Sequence, residues 1–387
     1  MSMKYENAFF EVFQMEPEHI YFSPGRVNLI GEHTDYNGGN VFPCALTIGT
    51  YGVASLRKDN TIRMYSENFQ DQGVVEFSLD DLTYSKAHDW ANYPKGVIAF
   101  LRKEGHHIEQ GMDIYFNGNI PNGAGLSSSA SIEVLTAFMM KDLFQLEISM
   151  INLVKLCQKV ENEFMGVNSG IMDQFAVAMG KKDQAILLDT NTLEYRYSPV
   201  LLENASLVVS NTNKKRGLAD SKYNERRAEC EEALKRLQTV LPISSLGEID
   251  SETFGKYQHV IEDDVLIKRA KHAVTENERT LLAVKALESN EIEEFGKLMN
   301  ASHESLKEDY EVTGTELDTL VELARKVSGT IGSRMTGAGF GGCTVSIVQN
   351  DAIERFIQEV GTSYEEIIGY KAEFYVVSIG DGVHKIS

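Results

Sequence analysis

Proline is scarce in this chain, with seven in 387 residues and no cluster. Neither internal repeats nor low-complexity tracts occur, which leaves no long linker between distant modules. Cysteine is scarce too. Cys44, Cys157, Cys230 and Cys343 lie far apart with no CxxC or Cys/His ligand spacing, which argues against a disulfide framework or a zinc site and fits a reduced, cytoplasmic setting. No run approaches the roughly 18–20 apolar residues that span a bilayer, and the opening MSMKYENAFFEVF has no sustained apolar segment, so neither membrane insertion nor export is expected.

Positive charge is the largest deficit. Lysine and arginine number 37 against 57 aspartate plus glutamate, a formal net charge of −20, so nucleic acid and anionic membranes are not expected partners. The exclusion covers extended surfaces only, because a local cluster of backbone N–H groups, an arginine and a metal ion can still hold an anionic nucleotide. Two phosphate-handling signatures are missing as well. No GxxxxGK[ST] loop occurs, and the HRD and DFG elements of protein kinases are absent.

The length suits two domains. Residues 5–13 read as an amphipathic helix, and 21–30, 41–55 and 62–66 read as strands. A helix over 90–102, a strand over 112–116 and helices over 126–144 and 151–164 follow, then strands at 185–188 and 207–210 around a turn-rich region with Pro199. Helical spacing returns over 218–237, 267–287, 292–306 and 317–327, and strands close the chain at 344–348 and 374–379. Mixed strands and helices without regular βαβ alternation predict an α+β fold, with a domain boundary near residue 200.

The densest polar run is FSPGRVNLIGEHTDYNGG, Phe22 to Gly39, which holds Arg26, Asn28, Glu32, His33, Asp35 and Asn37 around an apolar anchor, Leu29 and Ile30. Its composition suits a polar-ligand site on a scaffold, although Gly, Asn and Asp also mark ordinary turns. A second run, NGNIPNGAGLSSSASIEV from Asn117 to Val134, sets a glycine-rich turn before a helix. Unpaired N–H groups at such a start attract phosphate, while a plain serine cap is the alternative. A third, TGAGFGGC from Thr336 to Cys343, contains a formal GxGxxG at Gly337, Gly339 and Gly342. The residues after it read as a strand rather than the helix a dinucleotide fingerprint requires.

The first run resembles the galactokinase family of sugar kinases, within the wider GHMP group that also phosphorylates homoserine, mevalonate and phosphomevalonate. Pro121–Ala130 is similar to that group's PxxxGLSSSA motif and Gly332–Cys343 to its third motif, so the resemblance covers nearly the whole chain in the family's order. It implies a two-domain GHMP-kinase fold with the active site in the cleft between domains. The N-terminal domain, 1–200, would bind sugar and nucleotide, and the C-terminal one, 201–387, would have a ferredoxin-like core plus helices. The implied reaction carries the γ-phosphate of ATP, with Mg2+, to the C1 hydroxyl of α-D-galactose, in a monomeric or weakly dimeric enzyme of galactose metabolism.

The same resemblance implies individual roles. Glu32, His33 and Asp35 receive sugar hydroxyls, with backbone help from Gly31 and Thr34 to Asn37. Gly170, in GIMDQF, and Tyr223, in SKYNERR, are sugar contacts too, although the tyrosine's spacing also fits a core position. A metal site at Glu32, His33 and Asp35 lacks a fourth ligand at suitable spacing. The loop Gly123, Ala124, Gly125, Leu126, Ser127, Ser128 and Ser129 holds the triphosphate; Ser129 and Glu161 contact magnesium. The third motif packs over the site near the phosphates without direct chemistry. Trp90, in HDWANYPKGV, and Ser66 flank the adenine, with a core role the alternative for the tryptophan.

The catalytic aspartate falls on Asp173, near the start of an apolar helix where it could otherwise only favour the helix dipole. Arg26 is its partner and stabilises charge on the transferred phosphoryl group. Because an arginine neighbour weakens a carboxylate as a base, Asp173 either accepts the proton late or mainly orients the hydroxyl. Two alternatives stand beside this reading. One is an N-acetylgalactosamine kinase, against which Thr34 and Asn37 match the galactose form. The other is a sensor that binds galactose and ATP without turnover, against which Ala130 and Ser131 are retained.

Overall fold

The computed structural model describes residues 2–121, 125–214 and 219–387. Its strands are β1 (His19–Asn28), β2 (Asn40–Val41), β3 (Pro43–Leu56), β4 (Thr61–Ser66), β5 (Val75–Ser78), β6 (Met112–Gly118), β7 (Gln184–Asp189), β8 (Tyr195–Pro199), β9 (Ala205–Asn211), β10 (Thr330–Thr336), β11 (Cys343–Gln349), β12 (Glu373–Val377) and β13 (His384–Lys385). Its helices are α1 (Ser2–Phe13), α2 (Asn92–Lys103), α3 (Ser128–Leu143), α4 (Met150–Lys159), α5 (Met172–Met179), α6 (Ala219–Leu237), α7 (Ser251–Tyr257), α8 (Asp264–Glu288), α9 (Ile292–Ser305), α10 (Thr315–Lys326) and α11 (Ile353–Ile368).

A six-stranded sheet runs in the order β13-β1-β3-β6-β4-β5, and of its pairings only β4 with β6 is parallel. One face of it buries Ala54, Ile62, Met64 and Ile114 against Val97 and Ile98 of α2 and Val134 and Leu135 of α3, the alternate-residue pattern of a sheet with a covered face. A four-stranded antiparallel sheet, β10-β11-β9-β12, is buried on both sides. Leu207 and Val209 of β9 point to α8 and α9, while Val208 between them packs on Phe356 and Val360 of α11. The cluster under the first of these faces also contains Val27, Leu29, Ile30 and Phe42, so the Phe22–Gly39 stretch is anchored in the core shared by the two sheets.

The α+β mixture and most of the expected elements are present. Helix α11 is the largest omission from the sequence reading, since Gly361, Thr362 and Ser363 interrupt it as turn residues would. The helix accepts Gly361 because the ring of Phe374 lies 3.2 Å from where its Cβ would be, so a larger residue would meet the ring. The third motif is not all loop: its first part, Gly332–Thr336, is strand β10, hairpinned to β11. That antiparallel hairpin removes the dinucleotide-fingerprint reading, which needs a strand followed by a helix.

Candidate active site

Strand β1 breaks register with β3 between Pro24 and Arg26, and a bulge of this kind re-aims a side chain. Arg26, still paired with Ala45 beyond the bulge, sends its side chain to Asp173 on the first turn of α5, 147 residues away in sequence. Its Nε donates to Asp173 Oδ1 and its Nη2 to Oδ2, both at 2.8 Å, the two-pronged geometry that a planar guanidinium makes with a carboxylate. The third nitrogen, Nη1, donates to the Gly125 carbonyl at 2.8 Å. Arg26 therefore ties the carboxylate to the glycine-serine loop.

That loop departs from the plain-cap alternative. Ser127 precedes α3 in a left-handed conformation and makes no side-chain cap; its hydroxyl donates to Asp173 Oδ2 instead. The Ser129 hydroxyl donates to Glu161 Oε1 at 2.9 Å. Gly123 and Ala124 lie outside the described residues. Glu161 is not the exposed helical glutamate that its sequence position also allows. It sits buried in a single π-helical turn, Val160–Phe164, and accepts further bonds from Ser169 Oγ (2.9 Å) and Gln174 Nε2 (2.6 Å). Burial, then the Asp173 charge, push the Glu161 carboxyl up; burial, then Glu161, push its neighbour Glu133 well up.

On one side of the serines a cleft of about 690 Å³ is lined by Arg26, Glu32, His33, Asp35, Gly170 and Asp173, among others. Tyr223 also lines it and packs its ring against His33, so its role is not confined to the core. Asp35 Oδ2 accepts from the Met172 amide at the start of α5 (3.3 Å) and would lie 1.9 Å from a Cβ on residue 170, so only glycine fits there. Burial, then repulsion from Asp173, push the Asp35 carboxyl up to about 7. Burial pulls the His33 imidazole down to about 3, so the ring is neutral. Its Nδ1 meets Tyr36 OH at 2.7 Å, in a chain that continues to Tyr310 OH and Cys230 Sγ, and its buried Nε2 has no partner among the described residues.

Thr34 and Asn37 are placed differently from the other residues of their stretch. The Thr34 hydroxyl is spent on the Gly31 and Asn40 carbonyls and the Asn37 amide on the His33 carbonyl, so both shape the loop and neither lines the cleft. On the other side of the serines, a cleft of about 660 Å³ is lined by Ser66, Trp90, Ser128 and Ser129 with Phe69, Tyr93 and Phe116. The Trp90 indole N–H is buried there without a partner among the described residues. Thus the serine run separates a polar cleft from an aromatic one.

The comparisons with known proteins bear directly on this arrangement. Residues 7–56 match the galactokinase galactose-binding signature, 92–181 the GHMP kinases N terminal domain and 283–366 the GHMP kinases C terminal domain. A galactokinase of Enterococcus faecalis is 62% identical over 98% of this chain and 98% of its own. The chain belongs to the galactokinase family.

As a member it is an ATP-dependent sugar kinase with the two-domain GHMP fold. The crystal structure of Lactococcus lactis galactokinase complexed with galactose has a TM-score of 0.97 at 52% identity, covering the whole of both chains. The Methanococcus jannaschii mevalonate kinase has a TM-score of 0.66 at 18% identity over 94% of this chain and 99% of its own, a likeness of fold alone. The structure also adds residues that the sequence did not single out. Ser169, Met172 and Ala338 line the polar cleft beside Gly337 of the third motif, and Gln174 bridges Glu161 and Glu133. For Gln174 the one available signal was its place one residue after Asp173.

No helix among the described residues is long and apolar enough to cross a membrane. All four cysteines are buried thiols outside any disulfide.

Proposed function

We propose that the chain transfers the γ-phosphate of ATP to the C1 hydroxyl of α-D-galactose, in the cytoplasm, with sugar in the polar cleft and adenine in the aromatic one. One observation carries this reading: the Ser127–Ser129 run bonds to groups of the polar cleft through Asp173 and Glu161 and lines the aromatic cleft itself. A triphosphate laid along it would point its γ end at Asp173. The start of α3 supplies N–H donors and positive dipole there. We place the division between the two domains near residue 200, between the last strand of the small sheet β2-β7-β8 and the first strand of the four-stranded one.

In this proposal Glu32, His33 and Asp35 take sugar hydroxyls, each carboxylate accepting from them and the His33 ring offering its free Nε2. Gly170 and Tyr223 close the cleft around the ring, and Ser66 and Trp90 pack on the base. Asp173 holds the attacking hydroxyl and receives its proton as the oxygen bonds to phosphorus and ADP leaves. Three donors already hold that carboxylate, so it is oriented before the sugar arrives. Arg26 balances the charge that develops on the transferred group.

Ser129 and Glu161 would hold Mg2+. Three carboxyls, Glu161, Glu133 and Asp173, crowd one region, and a cation beside Ser129 would relieve the burial and repulsion acting on Glu161. Two protein oxygens are the few hard contacts that a magnesium ion carried in with a nucleotide would need. When bound, magnesium supplies charge neutralisation between the phosphates.

A coupled ADP-release assay tests the whole reading. Turnover is expected with galactose and little with N-acetylgalactosamine; binding of galactose and ATP without ADP release would instead make the chain a sensor. The Asp35 carboxyl gives a second test. Its ionised form is the one that accepts hydroxyls, so the KM for galactose is expected to be flat above about pH 8 and to rise towards about tenfold per pH unit below 7. A KM independent of pH between 5 and 8 would remove Asp35 from the sugar site.

A further inference from the structure

Arg334 is a fully buried charged side chain in the middle of β10. A guanidinium taken out of water is stable only where charge and acceptors surround it, so its partners show what it is for. Its ion-pair partner is Glu32, at 3.3 Å from Nη1. The same nitrogen donates to the Asn28 carbonyl (2.9 Å), and Nε donates to Ser302 Oγ (3.2 Å).

Two more donors from the third motif join it on Glu32. The Gly337 amide (2.8 Å) and the Thr336 hydroxyl (3.1 Å) donate to Oε1, the same oxygen that Arg334 meets. All three bonds fall on Oε1 and none on Oε2, and Glu32 lines the polar cleft. The residue before Glu32 is held through the same network: Glu276 Oε1 accepts from the Gly31 amide (3.0 Å) and from Ser302, the hydroxyl that Arg334 reaches. Burial pushes the Glu32 carboxyl up, with Arg334 the largest opposing influence.

We propose that Arg334 and Thr336 are positioning residues for sugar recognition, fixing one oxygen of Glu32 so that the other meets a galactose hydroxyl at a set angle. The third motif then serves the sugar end of the reaction through Arg334, Thr336 and the Gly337 amide, while Gly337 also packs on the phosphate loop, where a Cβ would stand 2.8 Å from the Gly125 carbonyl. This inference rests on the proposed role of Glu32 as a sugar contact.

The test compares Thr336→Val, Thr336→Ser, Arg334→Lys and Glu32→Gln for galactose affinity by calorimetry without nucleotide, kcat, KM for ATP, and Tm. Thr336→Val and Arg334→Lys are expected to weaken galactose about tenfold or more, the scale of a lost bond to a charged group. The KM for ATP should move far less, and Thr336→Ser, which keeps the hydroxyl, should bind as the parent does. Lysine keeps the charge but not the fork that reaches Ser302 and Glu32 together. If Glu32→Gln weakens galactose while folded Thr336→Val does not, the positioning role is overturned and the sugar-site reading stands. If Glu32→Gln leaves galactose binding unchanged, the reading of Glu32 falls and the inference falls with it. Should Arg334→Lys fail to fold, the Thr336 pair decides.

Discussion

Asp173→Asn should lower kcat by about 10² to 10⁴-fold, the usual contribution of a positioned proton acceptor, while galactose still binds within a few-fold of the parent. Asparagine keeps the shape of the side chain but turns one of its two acceptor positions into an N–H donor. One of the Arg26 bonds and the Ser127 bond cannot then both be kept in their present form. Rapid-quench turnover beside calorimetric sugar binding separates the two effects, and near-normal turnover would exclude Asp173 from the chemistry. A second signature follows from Asp35, which the Asp173 charge helps to push up. In the variant the pH midpoint for galactose binding should move down. An unmoved midpoint would mean that the two carboxyls do not sense each other.

Arg26→Met is expected to lower kcat by about 10² to 10³-fold, the scale of losing one preorganised electrostatic group in a water-poor site, and to raise the KM for ATP as well. The second effect arises because Nη1 holds the Gly125 carbonyl, so the phosphate loop loses a tether along with the transition state losing a charge. Arg26→Lys should recover little, since a single ammonium cannot make two parallel bonds to Asp173 and a third to the loop. Combined with Asp173→Asn, the loss should fall well short of the product of the single losses, because each change already dismantles the same pair. A strictly multiplicative double variant would show that the two side chains work independently.

Much of the polar cleft's lining was legible in the sequence. Arg26, Glu32, His33 and Asp35 were legible because charged residues are packed around an apolar anchor pair that had to be buried, and the Leu29 and Ile30 anchor is where it was expected. Thr34 and Asn37 were expected to help only through their backbone. Only the turn that follows Gly31 reveals that their polar atoms are consumed by neighbouring carbonyls. The Arg334 clamp was invisible for a different reason. Its contacts reach residues some three hundred positions away, and an arginine between glycine-rich runs reads as a solvated loop residue until the strand partner is known. Helix α11 was hidden by local signals, since a Gly-Thr-Ser triplet resembles a break until Phe374 closes over it.

The two-residue strand β13 closes the edge of the six-stranded sheet beside β1, through Tyr21 with Lys385 and Phe22 with His384, and Lys385 and Tyr21 share Asp142. On a ribosome β1 emerges long before its β13 partners do. The strand that carries Arg26 is made early, yet its outer edge has no partner until residues 384 and 385 have left the exit tunnel. Pairings this remote in sequence form slowly, and open strand edges recruit other chains. The nascent protein therefore carries an open edge on the strand of its proposed catalytic arginine until β13 is made, and a variant truncated before His384 would keep that edge open.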